Sequence, residues 1–243
     1  MSVIYQPKGR AQEYSELACN LYMGCTHGCR YCFAPACMRS TKEAWSEHAY
    51  PRNDIIRQFR KEAAKLAANG EKRPILFSFL SDPYQPIEKC ERLTHNALET
   101  VCQFGLKSKI LTKGNPELIE EDLALMKDAG TELGITLSFT QERSRQYWEP
   151  NASTIQERIE LLKKAHAMGI TTWVSMEPVI IPDEALELLS LLIPYVDKWK
   201  IGKVNHCPEI ERQVDWVSFR EKAREILDAA NAEYYLKKSL TEL

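Results

Sequence analysis

Short apolar runs rich in branched residues alternate along this chain with longer segments whose apolar positions recur at helical spacing. The runs at 17–21, 75–80, 109–111, 133–139, 171–176 and 199–201 read as six buried strands. Between them, Ile55, Ile56, Phe59, Ala63 and Leu66 fall on one stripe of a helix ending near Ala68, with Asn53 as its expected N-cap. A helix over 94–104 stops at Gly105. Another follows Asn115-Pro116, places Leu118, Ile119, Leu123 and Met126 inward and ends near Gly130. Ser153 is the expected cap of a helix to Met168, with Ile155, Ile159, Leu162 and Ala165 on its apolar side. Helices over 183–192 and 219–230 complete the series, and 234–236 has the composition of one more short strand. Residues 33–52 read as irregular, and Glu177-Pro178 as the end of the fifth strand.

Strands and helices in strict alternation imply a parallel sheet with right-handed crossovers. The expected fold is α/β, a partial (β/α)6 barrel of the TIM type with short terminal extensions. Its core spans about 14–205 of a single domain, with a helical extension over 206–243. In such sheets ligands gather at the C-terminal ends of the strands. Polar residues recur there in this chain: Ser81-Asp82, Lys113, Gln141-Glu142, Glu177 and Lys203 to Asn205.

With 243 residues, 44% apolar and 27% charged, the chain has enough apolar content for a sizeable core. A net charge of −2 removes the argument for nucleic acid from a global basic field, although a basic rim on a neutral protein suffices for it. The start lacks the apolar core of a signal peptide, and the most apolar run, 186–193, is too short to span a bilayer. A cytoplasmic protein without a membrane anchor is expected, so the eight cysteines point to metal or reactive thiols before disulfides.

Three of these cysteines, Cys25, Cys29 and Cys32, lie within eight residues directly after the first strand. Zinc with Cys37 or His27 as fourth ligand is one reading. No second ligand pair follows at suitable spacing, however, and the loop stands at an active-site position. An iron–sulfur cluster with one iron left open is the better reading. Cys19 and Cys102 read as core residues, Cys90 and Cys207 as loop residues.

Cys25-x-x-x-Cys29-x-x-Cys32, with Tyr31 before the last cysteine, resembles the radical S-adenosylmethionine superfamily. Asn20-Leu21-Tyr22, the Ser81-Asp82-Pro83-Tyr84-Gln85-Pro86 loop, Leu111-Thr112-Lys113 and Ser175-Met176-Glu177-Pro178-Val179 resemble its spore photoproduct lyase-like group, also called DNA repair photolyase-like. The resemblance implies a 4Fe-4S cluster on Cys25, Cys29 and Cys32, with S-adenosyl-L-methionine chelating the fourth iron. It further implies reductive cleavage to a 5′-deoxyadenosyl radical and hydrogen abstraction from a substrate. Ser81, Asp82 and Tyr84 then stand where the methionine amino group is bound, although the usual Gly-Gly-Glu is absent. Tyr31 and Phe33 stand near the adenine, Lys113 near the methionine carboxylate, Ser138 near the ribose, and Glu177 across the rim.

Each of these residues also has a plainer reading: a turn at Asp82, a solvated cation at Lys113, a strand residue at Ser138, a strand end at Glu177. Cys37, ahead of Cys207, is the candidate hydrogen-atom donor. His27 and His206 are the histidines near the site; His48, His95 and His166 have no assigned role. Arg30, Arg39, Lys42 and Arg52 offer a basic rim to a phosphodiester. The substrate is then a nucleic acid base, from DNA or RNA, or else a peptide or small metabolite, with a flavodoxin- or ferredoxin-type protein as electron donor. A zinc-stabilised module without catalysis is the reading from another class.

Overall fold

In the computed structural model, which describes residues 2–205 and 207–242, the expected alternation closes into one curled sheet. Strands are numbered in chain order: β1 Leu17–Ala18, β2 Tyr22–Met23, β3 Tyr50–Pro51, β4 Ile75–Phe77, β5 Ser108–Thr112, β6 Glu132–Thr136, β7 Thr172–Val179, β8 Lys198–Lys203 and β9 Glu233–Leu236. Among the described residues, seven of them form a parallel half-barrel in the order β1-β4-β5-β6-β7-β8-β9. All six expected strands are present, and the run at 234–236 supplies the seventh. The C-terminal extension therefore carries a strand as well as helices. Strands β2 and β3 pair antiparallel as a separate hairpin beside the sheet.

Alternation along the strands separates two layers. Ile75 and Phe77 join the large core beneath the helices, where the Phe59 and Phe77 rings stand 5.4 Å apart. Leu76 points the other way, into a small cluster with Ala18 and Trp173 on the concave face. The N-terminal segment crosses that face. Tyr5 bridges Ala18, a 3-10 turn covers Gly9–Glu13, and the Tyr14 ring packs 6.1 Å from Trp173 and 6.0 Å from Phe79. Lys200 fastens it by donating to the carbonyls of Glu13 (2.5 Å) and Tyr14 (3.1 Å).

Several local expectations change. The helix Ile55–Ala68 starts one residue later than Asn53 would set, and Asp54, its N-cap, adopts a left-handed conformation without a side-chain cap. Ser153 is not the cap of Ile155–Ala167, because its hydroxyl is drawn to the Gly114 carbonyl at 2.6 Å. The cap is Thr154, in a reciprocal box with Glu157. Thr154→Ala should cost about 1 kcal/mol in urea unfolding, and Ser153→Ala should leave that helix end intact. Residues 33–52 hold two short helices, Ala34–Cys37 and Lys42–Glu47, and the β3 half of the hairpin. Strand β7 runs through Glu177-Pro178 with a register shift between Met176 and Val179. The stretch after β6 gains a helix, Glu142–Trp148.

Candidate functional site

The cysteine loop leaves the hairpin strand β2 at Gly24, whose φ of +76° and approach to His48 exclude a side chain: a Cβ there would lie 2.0 Å from the His48 carbonyl oxygen. The loop has no regular partner, so its peptide groups are satisfied from elsewhere. The fully buried Gln85 acts as a surrogate peptide, accepting from Thr26 N (3.2 Å) and donating to the Gly24 carbonyl (3.2 Å). Asn151 donates its side-chain amide to the Thr26 carbonyl (3.0 Å) and its own N–H to the His27 carbonyl (3.3 Å). Cys25 N donates to Trp45 O, and Arg30 N to Trp148 O.

So held, Cys25, Cys29 and Cys32 line a single cavity of about 330 Å³, with Lys42, Trp45 and Ser46 also in its wall. Burial pushes the Cys25 thiol up to about 12, and raises Cys29 and Cys32 as well. Thiols in this state become ligands once a cation compensates the thiolate charge. Among the described residues no three His, Cys, Asp or Glu side chains converge on a point that could hold one ion.

Beneath the loop lies a charged layer. The Tyr31 hydroxyl donates to Glu149, and Glu149 pairs with Arg158 at 2.7 Å; Glu149 and Arg158 are 0% and 2% exposed. Arg158 also donates to the carbonyls of Thr136 (3.0 Å) and Ser153 (2.9 Å). Lys113 approaches the Tyr31 ring to 5.9 Å. Burial opposes its charge, but Cys29, Glu149 and Asp82 outweigh burial and raise it above the ordinary lysine value. Lys113 is half-buried beside Tyr31, with its backbone N–H held by Asp82.

Asp82 serves the loop itself. Its Oδ1 accepts from Tyr84 N (2.9 Å) and Thr112 Oγ1 (2.6 Å), and its Oδ2 from Lys113 N (2.8 Å). The Ser81 hydroxyl donates to the Tyr22 carbonyl at 3.1 Å. Tyr84 turns away from the rim: it is wholly buried and its hydroxyl donates to Asp122 at 2.7 Å, on the helix Pro116–Ala129. Ser138 is 1% exposed and its hydroxyl has no partner, as has Thr26 Oγ1 in the loop. Glu177 accepts from Tyr14 and Lys237. Phe33 is half exposed, and Cys37 is exposed beyond it.

His27 is buried with Nδ1 3.6 Å from Asp82 Oδ2, and burial lowers its pKa. His206 lies outside the described residues. Of the basic rim, Arg30 stacks 4.1 Å over the Tyr147 ring, and Arg52 donates to the Asn20 carbonyl at 3.3 Å. Sequence reasoning missed Gln85, Glu149, Asn151 and Arg158. A signal existed for Arg158 alone, a charge on the same helical stripe as Ile155 and Ile159.

A family model described as "Radical SAM superfamily" matches residues 19–192. The chain belongs to this superfamily. Among curated relatives, an uncharacterized protein of Methanocaldococcus jannaschii is 30% identical over 165 residues, 68% of this chain and 60% of its own length. One of Mycobacterium tuberculosis is 27% identical over 171 residues, 66% of this chain and 48% of its own. The match thus spans about half to three fifths of these relatives. The superfamily fold extends over nearly the whole chain. A spore photoproduct lyase variant with bound AdoMet and dinucleoside spore photoproduct aligns at TM-score 0.70 and 14% identity, over 96% of this chain and 79% of that one. SuiB of Streptococcus suis bound to S-adenosylmethionine aligns at 0.65 and 14%, over 93% and 52%. No helix among the described residues is long and apolar enough to cross a membrane.

Proposed function

We propose that this chain is a radical S-adenosylmethionine enzyme acting on a nucleic acid base. The observation that carries the enzyme reading is the grouping of three half-buried cysteines along one cavity, inside a stretch that matches the superfamily model. Cys25, Cys29 and Cys32 would hold a 4Fe-4S cluster, which when reduced by a flavodoxin- or ferredoxin-type donor supplies reductive cleavage of S-adenosylmethionine to a hydrogen-abstracting 5′-deoxyadenosyl radical.

The chain's own residues orient and shield. Lys113 offers its ammonium to the methionine carboxylate. Ser138 offers a hydroxyl, buried without a partner, to the ribose. Tyr31 and Phe33 present the adenine with backbone and ring. Asp82 braces the backbone of Lys113 and Ser81 that of Tyr22; their side chains are already engaged, so carbonyls of their own loop after β4 are the better acceptors for the amino group. Tyr84 contributes through the same loop and not through its hydroxyl. Cys37, exposed next to the loop, is the candidate hydrogen-atom donor.

The nucleic acid reading is supported by the fold likeness to a lyase whose structure contains a dinucleoside spore photoproduct, and by Arg30 and Lys42 lining the cavity of the three cysteines. The test is anaerobic reconstitution with iron and sulfide, reduction, and measurement of 5′-deoxyadenosine with and without dinucleoside spore photoproduct. Cluster absorbance with cofactor cleavage is expected, together with salt-dependent binding of single-stranded DNA. Stoichiometric retained zinc without a cluster overturns the enzyme reading. Cleavage without any nucleic acid binding overturns the substrate.

A further inference from the structure

Glu177 is anchored by residues from both ends of the chain, and neither anchor lies within the residues 19–192 matched by the family model. Tyr14 reaches its Oε2 from the N-terminal segment across the concave face. Lys237, directly after β9, reaches the same oxygen at 2.7 Å, although β8 runs between the two strands. The passage exists because β8 carries Gly202 at that height. A Cβ there would lie 3.0 Å from both Glu177 Oε1 and Lys237 Cδ, so any side chain would push the pair apart. Lys237 is 4% exposed, and its ammonium also stands 3.6 Å from Glu13 Oε2.

This arrangement fixes one oxygen and frees the other. Among the described residues Oε1 of Glu177 forms no hydrogen bond, while Oε2 takes two. Ser138 and Glu177 each lie two residues beyond Thr136 and Ser175, the last pair of β6 with β7. The Ser138 hydroxyl is buried and unpartnered. A carboxylate oxygen and a hydroxyl, neither with a partner among the described residues and both just beyond the same strand pair, suit a ligand group with two O–H groups, such as a ribose diol.

We propose that Lys237 is a positioning residue for the cofactor site, holding Glu177 aimed so that Oε1 accepts from the ribose of S-adenosylmethionine. This rests on the reading of Glu177 as a cofactor contact. An ammonium at hydrogen-bond distance fixes the rotamer of a carboxylate, and a carboxylate without that partner is free to turn.

The test is calorimetric titration of S-adenosylmethionine into the cluster-reconstituted full chain, with a thermal melt of each variant. Glu177→Gln should weaken binding about tenfold, the scale of one hydrogen bond to a charged group. Lys237→Met should weaken it to a similar extent, and Lys237→Arg should restore most of the loss. Gly202→Ala keeps every charge but displaces the pair, and should also weaken binding; it decides the matter if Lys237→Met does not fold. Loss in Glu177→Gln with wild-type affinity in Lys237→Met or Gly202→Ala overturns the positioning role. A lowered melting temperature with unchanged affinity in the Lys237 or Gly202 variants does so too. Wild-type affinity in Glu177→Gln overturns instead the reading of Glu177 as a cofactor contact.

Discussion

Cys29→Ala is expected to leave a folded protein that binds no iron–sulfur cluster and forms 5′-deoxyadenosine at least about a hundredfold more slowly. The fold should survive because nothing in the loop's structure hangs on that thiol. Gln85 and Asn151 tie the peptide groups of the loop, Trp45 O takes Cys25 N, and the backbone of Cys29 itself accepts from Cys32 N at 3.1 Å. The cluster should be lost because the three cysteines line one cavity and the nearby Cys37 does not line it. Cys37→Ala is the internal control. That thiol is exposed and outside the cavity, so cluster content should match wild type, while any change in product distribution reports on hydrogen-atom return. Iron and sulfide analysis with circular dichroism checks both variants. A full cluster in Cys29→Ala would falsify the ligand assignment.

Much of this architecture was legible because each buried strand is a branched apolar run and each helix carries a stripe of different period. Strand β9 was the faintest, with Glu233 and Tyr235 exposed at the edge of the sheet and only Leu236 buried. The choice between Ser153 and Thr154 was invisible locally, since the Gly114 carbonyl that captures Ser153 is 39 residues away. The cluster loop was legible for the opposite reason: its three thiols are close in sequence, so spacing alone reports their convergence. What holds that loop is not local. Gln85 was quoted within a motif, yet its role depends on a turn that brings it 61 residues back to Gly24. One position earlier in the same motif, Tyr84 faces the helix layer, because neighbouring residues of a loop need not share a direction.

Glu149 gave no sequence signal, and its removal should have the largest effect on stability. Glu149→Ala leaves the Arg158 guanidinium buried without its counterion, and breaking such a pair costs about 3–5 kcal/mol. Glu149→Gln keeps the volume and an acceptor for Tyr31 but still strands the charge, so it should recover little. Glu149→Gln combined with Arg158→Met removes both charges and should recover most of the loss, a coupling that urea unfolding of the single and double variants measures. Burial pushes the Glu149 carboxyl up, but Arg158 and Lys113 outweigh it and hold it below the ordinary value. Its ionised form therefore stabilises the fold above the unfolded-state pKa. That contribution fades as pH falls through the lower folded value, and the gap between wild type and Glu149→Gln should narrow with it. A loss under about 1 kcal/mol in Glu149→Ala would sink the assignment. The consequence reaches the cluster loop, because Tyr31 stands between Cys29 and Cys32 with its hydroxyl on Glu149. A variant that keeps enough stability to fold should still assemble its cluster more slowly, since the segment carrying two of the three thiols has lost its buried anchor.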